Sequence, residues 1–352
     1  MNKLLSQSIA ESSTNSYRSG WNQWIAFLAK LREQPTGEVD PYGPSEDDLL
    51  RYVASMTLAR EGKPKGLAVR TVRSYLSAIA HYHAISGRDD PRSGLVRLGK
   101  LLTGLKRHRG VDSTPKRPIT ISLLKEMKKY IPTGTLEGAT HWAALCMGVH
   151  GLFRLGELLP PAAEKRPLTH GDVRWVSEDH AVVTLRRSKT DPFGKGVAVN
   201  LFATGDATCP LTALKDVWAR QFQANLPTGD DAPVFRNAAG IVDKKSVIAL
   251  MKRVVALVAK EFPELGLVSK HFAGHSLRRG GATSLALRGV REAVLRMLGR
   301  WKSDAVNLYI EVPVDSLRHA SHVMAMTPDA YRHADLAAAG SPCNVTDMVS
   351  DL

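Results

Sequence analysis

The stretch KHFAGHSLRRGGATSLALRGV (Lys270–Val290), REAVLRM (Arg291–Met297) and LGRWKSDAVNLYI (Leu298–Ile310) decides how this chain is read. His275 and Arg278 are three residues apart, so on a helix they share a face and both reach one anion, helped by the backbone N–H groups of a helix start. Gly280 and Gly281 let another backbone pass close. Arg300, Trp301 and Lys302 precede Tyr309, which puts a cluster of donors and a phenol into one short supersecondary unit. Taken singly, each is a residue type more often found as a surface arginine or a core tyrosine. The spacing of the whole set points to a nucleophile beside a phosphate clamp.

Composition bounds what such a site acts on. With 352 residues the chain is long enough for two domains, taking about 150 residues per domain. Lys and Arg number 48 against 34 acidic residues, a formal charge of +14, and the sequence pI is near 9.8. That surplus favours a polyanionic partner. Cys146, Cys209 and Cys343 are far apart and lack CxxC spacing, which gives neither a disulfide framework nor a cysteine zinc site and points to a reducing compartment. MNKLLSQSIAESS has no apolar signal core, and HWAALCMGVHGLF is too short to span a bilayer, so a soluble protein without a membrane partner is expected.

In the first part of the chain, Tyr17, Trp21, Trp24, Ile25 and Leu28 form the stripe of an amphipathic helix. A turn-rich break, PTGEVDPYGPS, follows. Ser45 and Asp48 have capping-box spacing before a helix carrying Leu49, Tyr52, Val53 and Met56. A third helix has Val72, Tyr75, Leu76, Ile79 and Tyr82 on one side and closes at Gly87; a fourth carries Leu95, Leu98, Leu101, Leu102 and Leu105. Residues 1–109 thus read as a helical bundle whose outer cations follow a DNA backbone or simply solvate the surface. Lys106, Arg107, Arg109, Lys116 and Arg117, interleaved with Gly110, Pro115 and Pro118, mark a basic linker over 110–117. It either lies along DNA or is a plain interdomain connection.

The second domain, 118–312, begins with helices around Leu123–Tyr130 and Thr140–Leu159, the latter stopped by Pro160 and Pro161. Arg154 and Glu157 lie near its end, three residues apart: either the carboxylate orients a functional cation or the two form a routine surface pair. AVVTLRR and GVAVNLF read as strands joined by SKTDPFGKG, with Lys189 where the hairpin turns; an exposed hairpin lysine is either solubilising or a proton donor in a DNA groove. Helices recur over Leu211–Gln223 and Lys245–Lys260. The fold class is mainly α with a small antiparallel β-sheet. His271 and His275 lack the glutamate of HExxH and a third ligand, GHSLR has Arg278 where a nucleophile elbow needs glycine, and no GxxxxGK[ST] occurs. No metal site and no nucleotide cofactor is expected.

Arg154 in GLFRLGELL, Lys189 in the hairpin, His275 and Arg278 in GHSLRRGG, Trp301 in LGRWKSDA and Tyr309 in NLYI stand in the order of the tyrosine recombinase (phage integrase) signature, and the chain resembles that family over its whole length. The wording GHSLRRGGAT, SKTDPFGKG and GRWKSDA is most similar to recombinases of Crypton- or DIRS-type mobile elements. Two departures stand out. Many members have histidine where this chain has Arg300 and Trp301, and the histidine or tryptophan is often nine residues before the tyrosine, whereas Trp301 is eight before Tyr309. Trp301 and Arg300 are therefore rival donors. The resemblance implies a SAM-like DNA-binding domain, then an α+β catalytic domain, in which Tyr309 attacks the scissile phosphate, His275 takes or shuttles its proton, Arg154 and Arg278 clamp the phosphate and Lys189 protonates the 5′ oxygen.

A DNA-binding relic without the chemistry and a type IB topoisomerase are the competing functions; the joint presence of Arg154, Lys189, His275, Arg278 and Tyr309 favours the recombinase. Double-stranded DNA is the implied partner, held between the two domains, in an intracellular setting: the nucleus of a eukaryote or the cytoplasm and nucleoid of a bacterium. In the tail, 313–352, VDSLRHASHVMAM sets Val314, Leu317, Ser321 and Met324 on one helical face. That face either packs on its own domain or, as the resemblance implies, docks on a neighbour and links a homotetramer on paired sites.

Overall fold

In the computed structural model, which describes residues 8–9, 11–57, 66–110, 116–159, 166–186, 191, 194–302, 306–307 and 309–310, the first apolar stripe becomes helix α1, Glu11–Arg32, burying Trp24 and Leu28. Helix α2, Glu46–Thr57, starts from a reciprocal cap: the Asp48 amide donates to Ser45 Oγ at 3.1 Å and the Ser45 amide to the Asp48 carboxylate at 3.0 Å. Its Leu49, Tyr52, Val53 and Met56 meet Val72, Leu76 and Ile79 of α3, Val69–Ile85, in one core. Gly20 lets α1 and α3 approach, since a methyl there would lie 3.0 Å from the Tyr75 Cα. Helix α4, Val96–Arg109, adds buried Leu98 and half-buried Leu101, Leu102 and Leu105.

The chain divides into two units, Met1–Pro115 and Lys116–Leu352. Lys106, Arg107 and Arg109 belong to the last turn of α4, and within the first unit Arg109 donates to the carbonyls of Leu67, at 2.6 Å, and Thr57. Lys116 and Arg117, expected in the linker, are bound into the second unit. Lys116 Nζ donates to the Lys270 carbonyl at 3.0 Å, and Arg117 donates its amide to His271 O and its guanidinium to Gly266 O, each at 2.9 Å.

The second unit is built around a helix buried on every side. Helix α5, Ile121–Lys128, is capped by Thr120, and α6, Leu136–His150, by Thr135; every residue of α6 from Gly138 to Val149 is buried. The single helix expected over Thr140–Leu159 is in fact two. The chain leaves the helical path after His150, Leu152 takes φ 48°, and α7, Leu155–Leu158, starts afresh from Arg154. A methyl on Gly151 would overlap the buried Phe153 ring, so the reversal, not Pro160, ends the helix.

Strands β1 (Val173–Ser177), β2 (His180–Leu185) and β3 (Val197–Phe202) form an antiparallel sheet in that order, with Val183 facing both Val173 and Val199. The edge strand β1 was absent from the two-strand reading. Between β2 and β3 the Asp191 carboxylate accepts from the amides of Lys195 at 3.1 Å and Gly196 at 2.8 Å; Lys189 lies outside the described residues. Helix α8, Pro210–Gln223, follows, then a short hairpin of β4 (Arg236–Asn237) and β5 (Gly240–Ile241), and α9, Lys244–Glu261, capped by Asp243. The unit closes with α10, His275–Ala286, and α11, Glu292–Gly299. The tail expected to dock on a neighbour, 313–352, lies outside the described residues. Among the described residues no helix is long and apolar enough to cross a membrane.

Candidate active site

The glycine pair fixes where α10 lies. A methyl on Gly280 would overlap the Ile119 carbonyl, and one on Gly281 would overlap the Val149 carbonyl at the end of α6. The helix is flush against both backbones, with the Ile119 amide donating to Ser276 O at 2.9 Å. Arg278 is thereby carried into the interior, fully buried, where its guanidinium donates to the carbonyls of Leu152 and Gly299. His275, the first residue of α10, stays exposed at the helix start.

The turn at Leu152 and the helix start at Arg154 supply the other wall. The Glu157 carboxylate accepts from the Arg154 amide at 2.9 Å and from the Arg154 guanidinium at 2.8 Å, closing the first turn of α7. The same carboxylate accepts from Arg300 at 3.0 Å. Arg300 also donates to the carbonyls of Gly151 at 3.1 Å and Leu152 at 3.0 Å, so the Leu152 carbonyl is shared by Arg278 and Arg300. Arg300 sits just past α11 with φ 57°, a left-handed position that glycine usually fills.

Two guanidinium groups, those of Arg154 and Arg300, therefore share one carboxylate, a third, that of Arg278, meets Arg300 at the Leu152 carbonyl, and all are largely withdrawn from water. Burial first, then the charges of Arg154 and Arg300, press the Arg278 pKa down to about 9, which still leaves it protonated at neutral pH. Burial likewise lowers Arg300, against the attraction of Glu157. Excess positive charge in a low-dielectric place is relieved by an anion.

Tyr309 faces this cluster. Its ring centre lies 5.7 Å from Arg278 Cζ, 6.4 Å from the His275 ring and 5.1 Å from the Trp301 ring, and its carbonyl accepts from Thr283 Oγ1 of α10 at 3.2 Å. Trp301 is buried, packs flat enough on Arg278 to bring Cζ within 4.3 Å of its ring, and needs Gly299, where any side chain would run into the indole. Its Nε1 meets no acceptor among the described residues. Of the residues singled out in the sequence, the structure brings together Arg154, Glu157, His275, Arg278, Arg300, Trp301 and Tyr309; Lys189 is outside the described residues. Lys106 and Arg107 are exposed in the first unit. Among the described residues no group of three or more His, Cys, Asp or Glu side chains is arranged to hold a metal ion. Sequence reading missed the Leu152 carbonyl, because no residue type announces a left-handed leucine.

No family model matches the chain. Over 317 residues it is 27% identical to the integrase/recombinase xerD homolog of Selenomonas ruminantium, across 88% of this chain and 84% of that protein. Among solved structures it is similar to the XerH site-specific recombinase bound to palindromic difH substrate in a post-cleavage complex, with a TM-score of 0.59, 16% identity, and 89% and 80% of the two chains covered. It is also similar to the Tn1549 transposon integrase in complex with transposon right end DNA, with a TM-score of 0.54, 18% identity, and 90% and 95% covered. At these identities the solved structures establish a shared fold.

Proposed function

We infer that the chain belongs to the tyrosine recombinase family and is a site-specific DNA recombinase that cleaves and rejoins strands through a 3′-phosphotyrosine. The observation that carries this reading is the gathering of three arginines, Arg154 and Arg300 paired to the Glu157 carboxylate and Arg278 joined to Arg300 through the shared Leu152 carbonyl, beside the Tyr309 ring and the His275 imidazole. The 27% identity to the xerD homolog over most of both chains supports it from a separate direction.

The chemistry follows from what each group offers. Tyr309 Oη attacks the scissile phosphorus and gives up its proton, which His275 accepts. Arg154 and Arg278 bind the non-bridging oxygens as negative charge gathers on them. The P–O5′ bond breaks, the 5′ oxygen takes a proton, and Lys189 is the proposed donor. The tyrosyl phosphodiester keeps the energy of the broken bond, so a 5′ hydroxyl from another strand reverses the steps and reseals the DNA. Each step uses side chains alone.

Arg300 we read as a positioning residue, since both its terminal nitrogens are engaged by carbonyls and Glu157. Trp301 is the remaining indole donor, and its packing on Arg278 supports the clamp in either case. Lys106 and Arg107 are proposed phosphate contacts of the first unit; Arg109, Lys116 and Arg117 have structural bonds that occupy part of their donor capacity. Assembly as a homotetramer on paired sites, with 313–352 as the exchanged element, extends the proposal. So does a Crypton- or DIRS-type origin, which rests on motif wording, and nuclear residence would follow from it. Incubating the protein with a duplex library and recovering covalently trapped fragments tests the function: one enriched sequence with protein on its 3′ end is expected, and the absence of any adduct would contradict it.

A further inference from the structure

A side chain from the first turn of α9 reaches the residue that precedes α10. A methyl group placed on Gly274, the residue before His275, would lie 3.2 Å from Leu155 Cβ and 3.7 Å from Lys244 Cε. Leu155 follows Arg154 in the chain, and Lys244 is the first residue of α9. The carbon bearing the Lys244 ammonium therefore rests over the backbone that joins the imidazole to the rest of the site, beside the residue that follows the clamp arginine.

The setting of Lys244 is that of a held cation. Its side chain is half-buried, unlike the exposed Lys245 next to it. The neighbouring carboxylate, Asp243, is committed to capping α9 through the Ser246 amide at 2.8 Å. No hydrogen bond or ion pair joins the Lys244 ammonium to a described residue. A lysine that gives up hydration and rotamer freedom without a partner costs stability, and an arriving anion returns that cost.

We propose that Lys244 is a further phosphate ligand of the cleavage site, its ammonium binding a non-bridging phosphate oxygen of the DNA beside Arg154 and His275. The proposal rests on the recombinase reading above and adds a residue to it. Lys244 contributes charge without delivering the proton to the leaving oxygen. Lysine suits this role because a compact ammonium on a flexible stem serves a single oxygen, whereas the buried arginines hold a fixed fork.

The test compares the full chain with Lys244→Ala, Lys244→Arg and, at the far end of α9, Lys260→Ala. Duplex binding is followed against salt, and single-turnover cleavage is followed on a trapped substrate. Lys244→Ala is expected to lower the salt slope by about 0.9 and to slow cleavage about ten-fold or more, the scale of one charged hydrogen bond. Lys244→Arg should recover most of both, and Lys260→Ala should cleave as the unaltered protein does. The Lys244→Ala defect should persist on DNA with sulfur at the bridging 5′ position, where the leaving group needs no proton. Full rescue by sulfur would make Lys244 the proton donor and overturn the assignment. An unaltered slope and rate in Lys244→Ala, while Arg154→Ala is slowed, would remove Lys244 from the site and leave the recombinase reading standing. Failure of the unaltered protein to form any adduct would instead sink that reading; the salt slope, which needs no cleavage, still decides whether Lys244 binds phosphate.

Discussion

Arg300 and Glu157 are 143 positions apart in the chain and 3.0 Å apart in space, and their pair closes the back of the arginine cluster. The side chains are 10% and 5% exposed, so water does little to soften its loss. Arg300→Ala removes this bond together with those to Gly151 and Leu152, and keeps the Cβ that makes the left-handed backbone costly. We expect a loss of about 2 kcal/mol or more in urea unfolding, because one partner of a buried pair is left behind. Cleavage should slow with it, and Arg300→Lys should recover only part of either effect, since a single ammonium cannot span three acceptors. Unaltered unfolding and cleavage in Arg300→Ala would refute the positioning role.

Gly280→Ala and Gly281→Ala should each destabilise the second unit, by about 1–3 kcal/mol, the usual cost of overpacking. The added methyl meets main-chain carbonyls of Ile119 and Val149, which cannot swing aside as a side chain would. Gly99→Ala, on α4 with open space around it, is the matched control and should be neutral or slightly stabilising. Thermal unfolding of the three variants decides the point.

Arg154→Ala and Arg278→Ala should each lower single-turnover cleavage by about 10²-fold or more, the scale of one lost oxyanion donor. Because Arg278 is also a buried strut between Leu152 and Gly299, its variant should unfold more easily than that of Arg154. Equal cleavage rates in folded variants and unaltered protein would take both arginines out of the chemistry.

Stability should fall as the solution is acidified below about pH 6.5. His141, His150 and His170 have pKa values lowered by burial from the ordinary 6.5. As pH drops through that value the unfolded chain takes up protons that the folded chain refuses, so the unfolded state gains. Above 6.5 both forms are neutral and the effect vanishes. The loss levels off only below the lowered folded values. Asp206 acts over a lower range: burial raises its pKa, but hydrogen bonds from Lys125, Thr208 and Thr204 hold it well below the carboxylate norm, so its contribution persists until pH falls through the normal aspartate value. Urea midpoints measured from pH 8 to pH 5 test this, and a flat profile would contradict it.

Much of the fold was legible because it rests on local rules. The Ser45–Asp48 cap and the stripe through Leu49, Tyr52, Val53 and Met56 are written into a dozen consecutive residues, and they form as written. Gly280 and Gly281 also signalled a close approach, though not which backbone would come close. What was illegible depends on tertiary contact. Leu152 carries no sequence mark of its positive φ, so the helix through GLFRLGELL looked continuous up to Pro160. VRWVS is only five residues long, and its strand β1 is held as the edge of the sheet by pairing with β2. Arg300 looked like a free donor from its neighbourhood in sequence; its partner Glu157 lies too far along the chain for any local pattern to reveal.

The most direct test of the central claim is to locate the bond between protein and DNA. A nicked duplex that loses the 5′ hydroxyl needed for resealing is incubated with the protein, and the trapped adduct is digested and mapped by mass spectrometry. The account predicts a 3′ phosphodiester on Tyr309, with Tyr309→Phe keeping its DNA affinity and giving no adduct. An adduct on any other residue, or an undiminished adduct in Tyr309→Phe, would contradict it.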